Sequence, residues 1–89
     1  ENESKKITIL FDKVLNIKSL KKEEKNLINI KKSLHLLNES KYEEAIDILN
    51  TLINSKSIWR ETAIKLIAEY YNSIGEKIKA KEYFELLTN

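Results

Sequence analysis

Ser40-Lys41-Tyr42-Glu43-Glu44-Ala45-Ile46-Asp47-Ile48-Leu49 decides the fold, because it recurs. Thirty-five residues later the chain reads Gly75-Glu76-Lys77-Ile78-Lys79-Ala80-Lys81-Glu82-Tyr83-Phe84. Ala80 falls where Ala45 falls, Phe84 where Leu49 falls, and Leu87 where Leu52 falls. The same interval separates the small residues Ser33 and Ala68, and the large ones Leu36 and Tyr71. A repeat of this length that changes helix at its midpoint predicts stacked helical hairpins. The alanines have a mechanical reason: helices approach to about 8–9 Å only where a small side chain admits the neighbour's ridge.

Outward from that stretch, the apolar spacing predicts five helices. Ile7, Leu10, Phe11, Val14, Leu15 and Ile17 follow the i, i+3, i+4, i+7 pattern from about Lys5 to Lys18. In the thirty-five-residue register Ile7, Leu10, Val14 and Ile17 align with Tyr42, Ala45, Leu49 and Leu52, so this helix reads as the second half of a truncated repeat. Ser19 is the expected N-cap of the next helix, which carries Leu27, Ile28, Ile30, Leu34, Leu36 and Leu37. Helices are then expected from Lys41 to Asn54, from Ile58 to Ile74 with a serine cap, and from Glu76 to Leu87. Gly75 is expected at the left-handed C′ position. The chain reads as one domain over 1–89, with 21–54 as one repeat, 57–88 as the next and 5–18 as the leading helix.

Composition fits this reading. Eighty-nine residues with 42% apolar content can bury a modest core, roughly 60–65% of the unfolded surface at this size. There is no proline and only one glycine, which speaks against strands joined by tight turns. No cysteine is present, so disulfides and thiolate metal sites are excluded. There is no methionine either, as expected of a processed or excised chain, so that any targeting or membrane segment would be sought upstream of Glu1. The net charge of +2 divides into +4 through Lys41 and −2 after it, neither extreme.

The positions just quoted resemble the tetratricopeptide-repeat superfamily: small residues at 33 and 68, large ones at 36 and 71, Ser40 or Gly75 at the turn, Ala45 or Ala80, and Leu49 or Phe84. The resemblance covers about Leu27 to Leu87 and implies an all-α, right-handed α-α solenoid of about five antiparallel helices that holds a protein or peptide partner. The chain departs from the family in its missing terminal proline, in Ser40 for the turn glycine, and in a period one residue longer than the usual 34. Trp59-Arg60-Glu61, followed at one remove by Ala63, is similar to the periplasmic ancillary subunits of the Sec translocon. That likeness implies a membrane-anchored, chaperone-like assembly role on the periplasmic side of a bacterial inner membrane. Without it, a cytoplasmic scaffold is expected.

Catalytic chemistry finds no support in the residues. His35 is the single histidine, with only Glu39 at helical spacing, which gives no metal set. No glycine-flanked serine and no glycine-rich loop are present, so no nucleophile elbow, phosphate cradle, cofactor or small-molecule substrate is expected. Lys18, Lys21, Lys22, Lys25, Lys31 and Lys32 concentrate positive charge around the second helix. An RNA-binding repeat is therefore the alternative, and a homo-oligomerisation module a further one. Glu23, Glu24 and the lack of interleaved aromatics argue against nucleic acid.

The candidate partner contacts are Leu27, Ile30, Leu34, Leu37 and Trp59. In the repeat register the four aliphatics align with Thr62, Lys65, Glu69 and Asn72, which makes them an apolar stripe on a groove. A connector shorter by one residue would turn Ile30, Leu34 and Leu37 into ordinary core. The second arrangement is the preferred expectation, since four exposed aliphatics forfeit roughly 1.5–3 kcal/mol each.

Overall fold

The computed structural model describes residues 2 to 88, and all of its regular structure is helical. The elements are α1 (Asn2–Leu15), α2 (Lys22–Asn38), α3 (Tyr42–Asn54), α4 (Arg60–Ser73) and α5 (Lys77–Glu85), with a closing 3-10 turn at Leu86–Thr88. Each helix packs on its neighbours in sequence, giving a slab 37 × 31 × 13 Å. The central core joins Ile30 of α2, Leu49, Leu52 and Ile53 of α3, and Ala63, Ile64 and Ile67 of α4.

The two repeated stretches turn the chain in the same way. Ser40 and Gly75 both have positive φ, +63° and +82°. The Lys41 N–H donates to the Leu36 carbonyl and the Glu76 N–H to the Tyr71 carbonyl, each at 2.8 Å. Ser40 and Gly75 N–H groups donate to Leu37 and Asn72 carbonyls, each at 3.1 Å. These paired bonds make a Schellman motif, which satisfies the last carbonyls of α2 and α4 in one geometry thirty-five residues apart. Behind the turns, Ser33, Leu36, Ala45, Ala68 and Ala80 are all buried. The Ser33 hydroxyl is satisfied inside its own helix by the Asn29 carbonyl at 2.8 Å.

Ser40 is thus a side chain in a conformation that favours glycine. Ser40→Gly should raise stability by about 1 kcal/mol, and Gly75→Ala should cost a similar amount. No heavy atom lies within 4 Å of a Cβ built at Gly75, so the loss there would come from backbone strain alone. Urea midpoints of the two variants, shifted in opposite directions, check this.

The helix ends differ from the sequence expectation at α1, α2 and α4, and α5 gives way to the 3-10 turn after Glu85 instead of running to Leu87. α1 begins at Asn2 and stops at Leu15 rather than Lys18, because Asn16 N–H is shared between the Asp12 and Lys13 carbonyls and Ile17 N–H closes on Val14 at 3.0 Å. The turn found at Ser40 therefore has no counterpart at Lys5, which is inside a helix. Ser19 does not cap α2; Lys21 stands there, its N–H donating to Glu24 Oε1 at 2.8 Å, the acidic half of a capping box. α4 begins at Arg60, two residues late, because Ser57 Oγ accepts the Trp59 N–H at 3.0 Å and holds the preceding turn. Arg60 Nε then donates to the Ile53 carbonyl at 3.1 Å and supplies a cation at the C-terminus of α3.

Candidate functional site

The five predicted partner contacts separate. Ile30 is 4% exposed and belongs to the central core. It is the core residue of the preferred expectation rather than a contact residue: the cluster of α3 and α4 aliphatics reaches it, although its register counterpart Lys65 is exposed. Leu37 is half-buried and packs against that core with one side, and Leu27 is half-buried. Leu34 stands 46% exposed, while Leu36 two residues on is 1% exposed. The connector is not shortened: the turn at Ser40 keeps step with the turn at Gly75, and that is why Leu34 faces outward.

Trp59 lies apart from the four aliphatics. It sits at the N-cap of α4, half-buried, with one side packed on the core. Its indole N–H is buried without an acceptor.

What lies open is a groove between α2 and α4, lined by Leu37, Tyr42, Leu66, Glu69, Tyr70, Ser73 and Ile74. Leu34 is one helical turn before Leu37 on the same side of α2. Tyr42 is 40% and Ile74 52% exposed, so apolar and aromatic surface faces solvent here beside one carboxylate, Glu69. The aromatic wall is the outer end of a ladder: Tyr42 to Tyr70 at 4.9 Å, Tyr70 to Tyr71 at 5.2 Å, and Tyr71 to Tyr83 stacked at 5.7 Å between centroids. Tyr83 anchors the inner end through its hydroxyl, which donates to Asn50 Oδ1 at 3.1 Å. A wall fixed in this way loses little side-chain entropy when something docks on its end. Sequence reasoning missed Tyr42, Leu66 and Ile74. The detectable signal was the pairing of an aromatic just after one turn with an aromatic near the end of the next helix.

At the other end of α2 a clasp ties that helix to the turn that leads into α4. Glu23 Oε1 accepts from Asn26 Nδ2 at 2.9 Å and from Ser57 Oγ at 2.7 Å, and Oε2 accepts from the Ile58 N–H at 3.3 Å. These bonds favour the carboxylate and pull its pKa below the ordinary glutamate value, the Asn26 and Ser57 bonds acting most strongly, against a partial desolvation that raises it. A lowered folded pKa adds stability that is present above the unfolded value, near pH 4.5, and is lost as pH falls through the folded value. Glu23→Gln should therefore lower the melting temperature at pH 7 and flatten its fall on acidification below about pH 4.5. Thermal melts at stepped pH check both.

His35 packs between α1 and α2, with its ring centroid 6.2 Å from Phe11 and Nε2 3.3 Å from Ser4 Oγ. Among the described residues no cluster of three His, Cys, Asp or Glu side chains is placed to hold a metal ion. Lys32 of the basic cluster is bound to Asp12 at 2.8 Å, and all four tyrosines lie on α3 to α5, none on α2 with the lysines. No helix among the described residues is long and apolar enough to cross a membrane. Comparison with family models, curated proteins and solved structures gives no match.

Proposed function

We propose that this chain is a non-catalytic docking scaffold, built as a right-handed tetratricopeptide-like solenoid fragment, whose α2–α4 groove holds a short peptide. The observation that carries this reading is the apolar groove itself, rigidly backed by the tyrosine ladder and placed between the first helices of two hairpins that turn alike. Glu69 on the groove wall selects the partner's chemistry: a peptide with an aliphatic or aromatic anchor and a basic residue beside it. Leu34 and Ile74 at the rim extend the apolar contact. The similarity to translocon-associated subunits would make such a peptide part of a membrane assembly.

Selection from a random peptide display library tests the reading. Peptides retained by the protein should share an apolar anchor next to Lys or Arg and be lost on Leu34→Lys, which leaves the fold intact. Enriched peptides indifferent to Leu34→Lys and Glu69→Lys, or binding of single-stranded RNA at 150 mM salt with a steep salt slope in preference to any peptide, would overturn it.

A further inference from the structure

Two loops meet at the N-terminus of α2, the opposite end of that helix from the groove. One is residues 16–21, after α1, and the other residues 55–59, before α4. Glu23, in the first turn of α2, ties the second loop to that helix: Oε1 accepts from Ser57 Oγ at 2.7 Å and Oε2 from the Ile58 N–H at 3.3 Å. These bonds fix the backbone of Ile58 while its side chain stands 74% exposed. In the first loop the Ile17 carbonyl accepts from the Leu20 N–H at 3.3 Å, which closes the turn, and the Ile17 side chain is 45% exposed. Each isoleucine has an exposed lysine within two residues, Lys18 and Lys56. Every residue of this surface belongs to the connections between described helices or to the turns that follow them.

Charge accompanies the two isoleucines. Lys18, Lys21, Lys22 and Lys56 are exposed, and none is in an ion pair among the described residues. Glu23 and Glu24 interrupt the lysines and offset part of their charge, but both accept from the protein's own donors, Glu24 Oε1 from the Lys21 N–H at 2.8 Å. The remaining carboxylate of these loops and the helix turns after them is Glu61. Over residues 16–25 and 55–61 six cations, Arg60 included, stand against three carboxylates, an excess of +3 where the whole chain carries +2. A flat anionic surface suits this arrangement, because lysines reach charged headgroups while isolated aliphatics enter the boundary beneath them. Two copies meeting across a two-fold axis here would set the same lysines against each other. Nucleic acid would find no stacking platform, since the one aromatic ring of these loops, Trp59, is half-buried against the core.

We propose that these two loops rest on an anionic phospholipid membrane, with Ile17 and Ile58 entering the headgroup region and Lys18, Lys21 and Lys56 lying against the lipid charges. The groove, at the C-terminal ends of α2 and α4, stays open in this pose. Co-sedimentation tests it with vesicles of phosphatidylcholine alone and of phosphatidylcholine with about 30% phosphatidylserine. At about 100 mM salt the mixed vesicles should bind at least about tenfold tighter than the neutral ones. Lys18→Glu with Lys21→Glu should remove most of that preference. Ile17→Asn with Ile58→Asn should weaken binding at least about fivefold. All four side chains are exposed, so the thermal melts of both variants should stay close to the parent's. Equal binding to the two kinds of vesicle, binding to neither, or parent affinity in either variant overturns the proposal. So does tighter binding of single-stranded RNA or of an acidic peptide than of the mixed vesicles through the same lysines.

Discussion

Leu36→Lys should fail to fold, whereas Leu34→Lys should melt within about 1 kcal/mol of the parent. The two positions are two residues apart on one helix, yet Leu36 is 1% and Leu34 46% exposed. At Leu36 an ammonium would have to enter packed apolar surface with no carboxylate to meet it, at an effective cost of several kcal/mol. A chain of this length has a total stability of about 4–13 kcal/mol, so most or all of it would be spent. At Leu34 the lysine stem can lie along the rim of the groove with its head in water. Circular dichroism and urea titration of the two proteins separate the outcomes. Equal destabilisation would mean that the turn at Ser40 does not hold α2 in the register described.

Ala45→Leu should cost about 1–3 kcal/mol, and Ala80→Leu less. Ala45 is 0% exposed on a helix packed between two others, so three added carbons have no direction in which to relax. Ala80, at 2%, is on α5, which among the described residues packs only on α4 and on the closing 3-10 turn. That last helix can shift outward and take up part of the strain. With a denaturant slope near 1–2 kcal/mol/M for a small domain, the Ala45 variant should lose on the order of 1 M in urea midpoint. If both variants unfold with the parent, the two alanines do not mark helix crossings.

The parts of this fold legible from sequence were those fixed by short-range periodicity. The thirty-five-residue recurrence located both hairpin turns, and the structure puts positive φ at Ser40 and Gly75 alike. Helix type followed from apolar spacing, since five amphipathic stretches with no proline leave little alternative. Helix ends were less legible. Ser19 and the serines before α4 look alike as caps, but Ser57 is drawn into the Glu23 clasp while Lys21 takes the cap position of α2.

That clasp joins residues 34 and 35 apart, one repeat period, and so could have been sought by looking for a carboxylate and a hydroxyl at equivalent points of successive hairpins. The groove was half legible. Of the aliphatic stripe of α2 only Leu37 lines it, and Ile30 turned inward because the α3 and α4 aliphatics reach it, a fact of tertiary packing rather than of register. Tyr42 and Tyr70 form its wall, while Tyr71 and Tyr83 at the inner end of the ladder are packed against the core. Which end of a stacked ladder faces water depends on where α3 crosses α4, and no spacing rule supplies that.

The central claim is that the α2–α4 groove is a peptide-docking surface. The most direct measurement is amide chemical-shift mapping of the isotopically labelled protein titrated with a peptide selected against it. The account predicts that perturbed amides concentrate at Leu34 to Asn38, Tyr42 and Leu66 to Ile74, the residues around the groove. Perturbations confined to the lysine-bearing side of α2, or to the α3–α4 loop at Ser55 to Ile58, would contradict it.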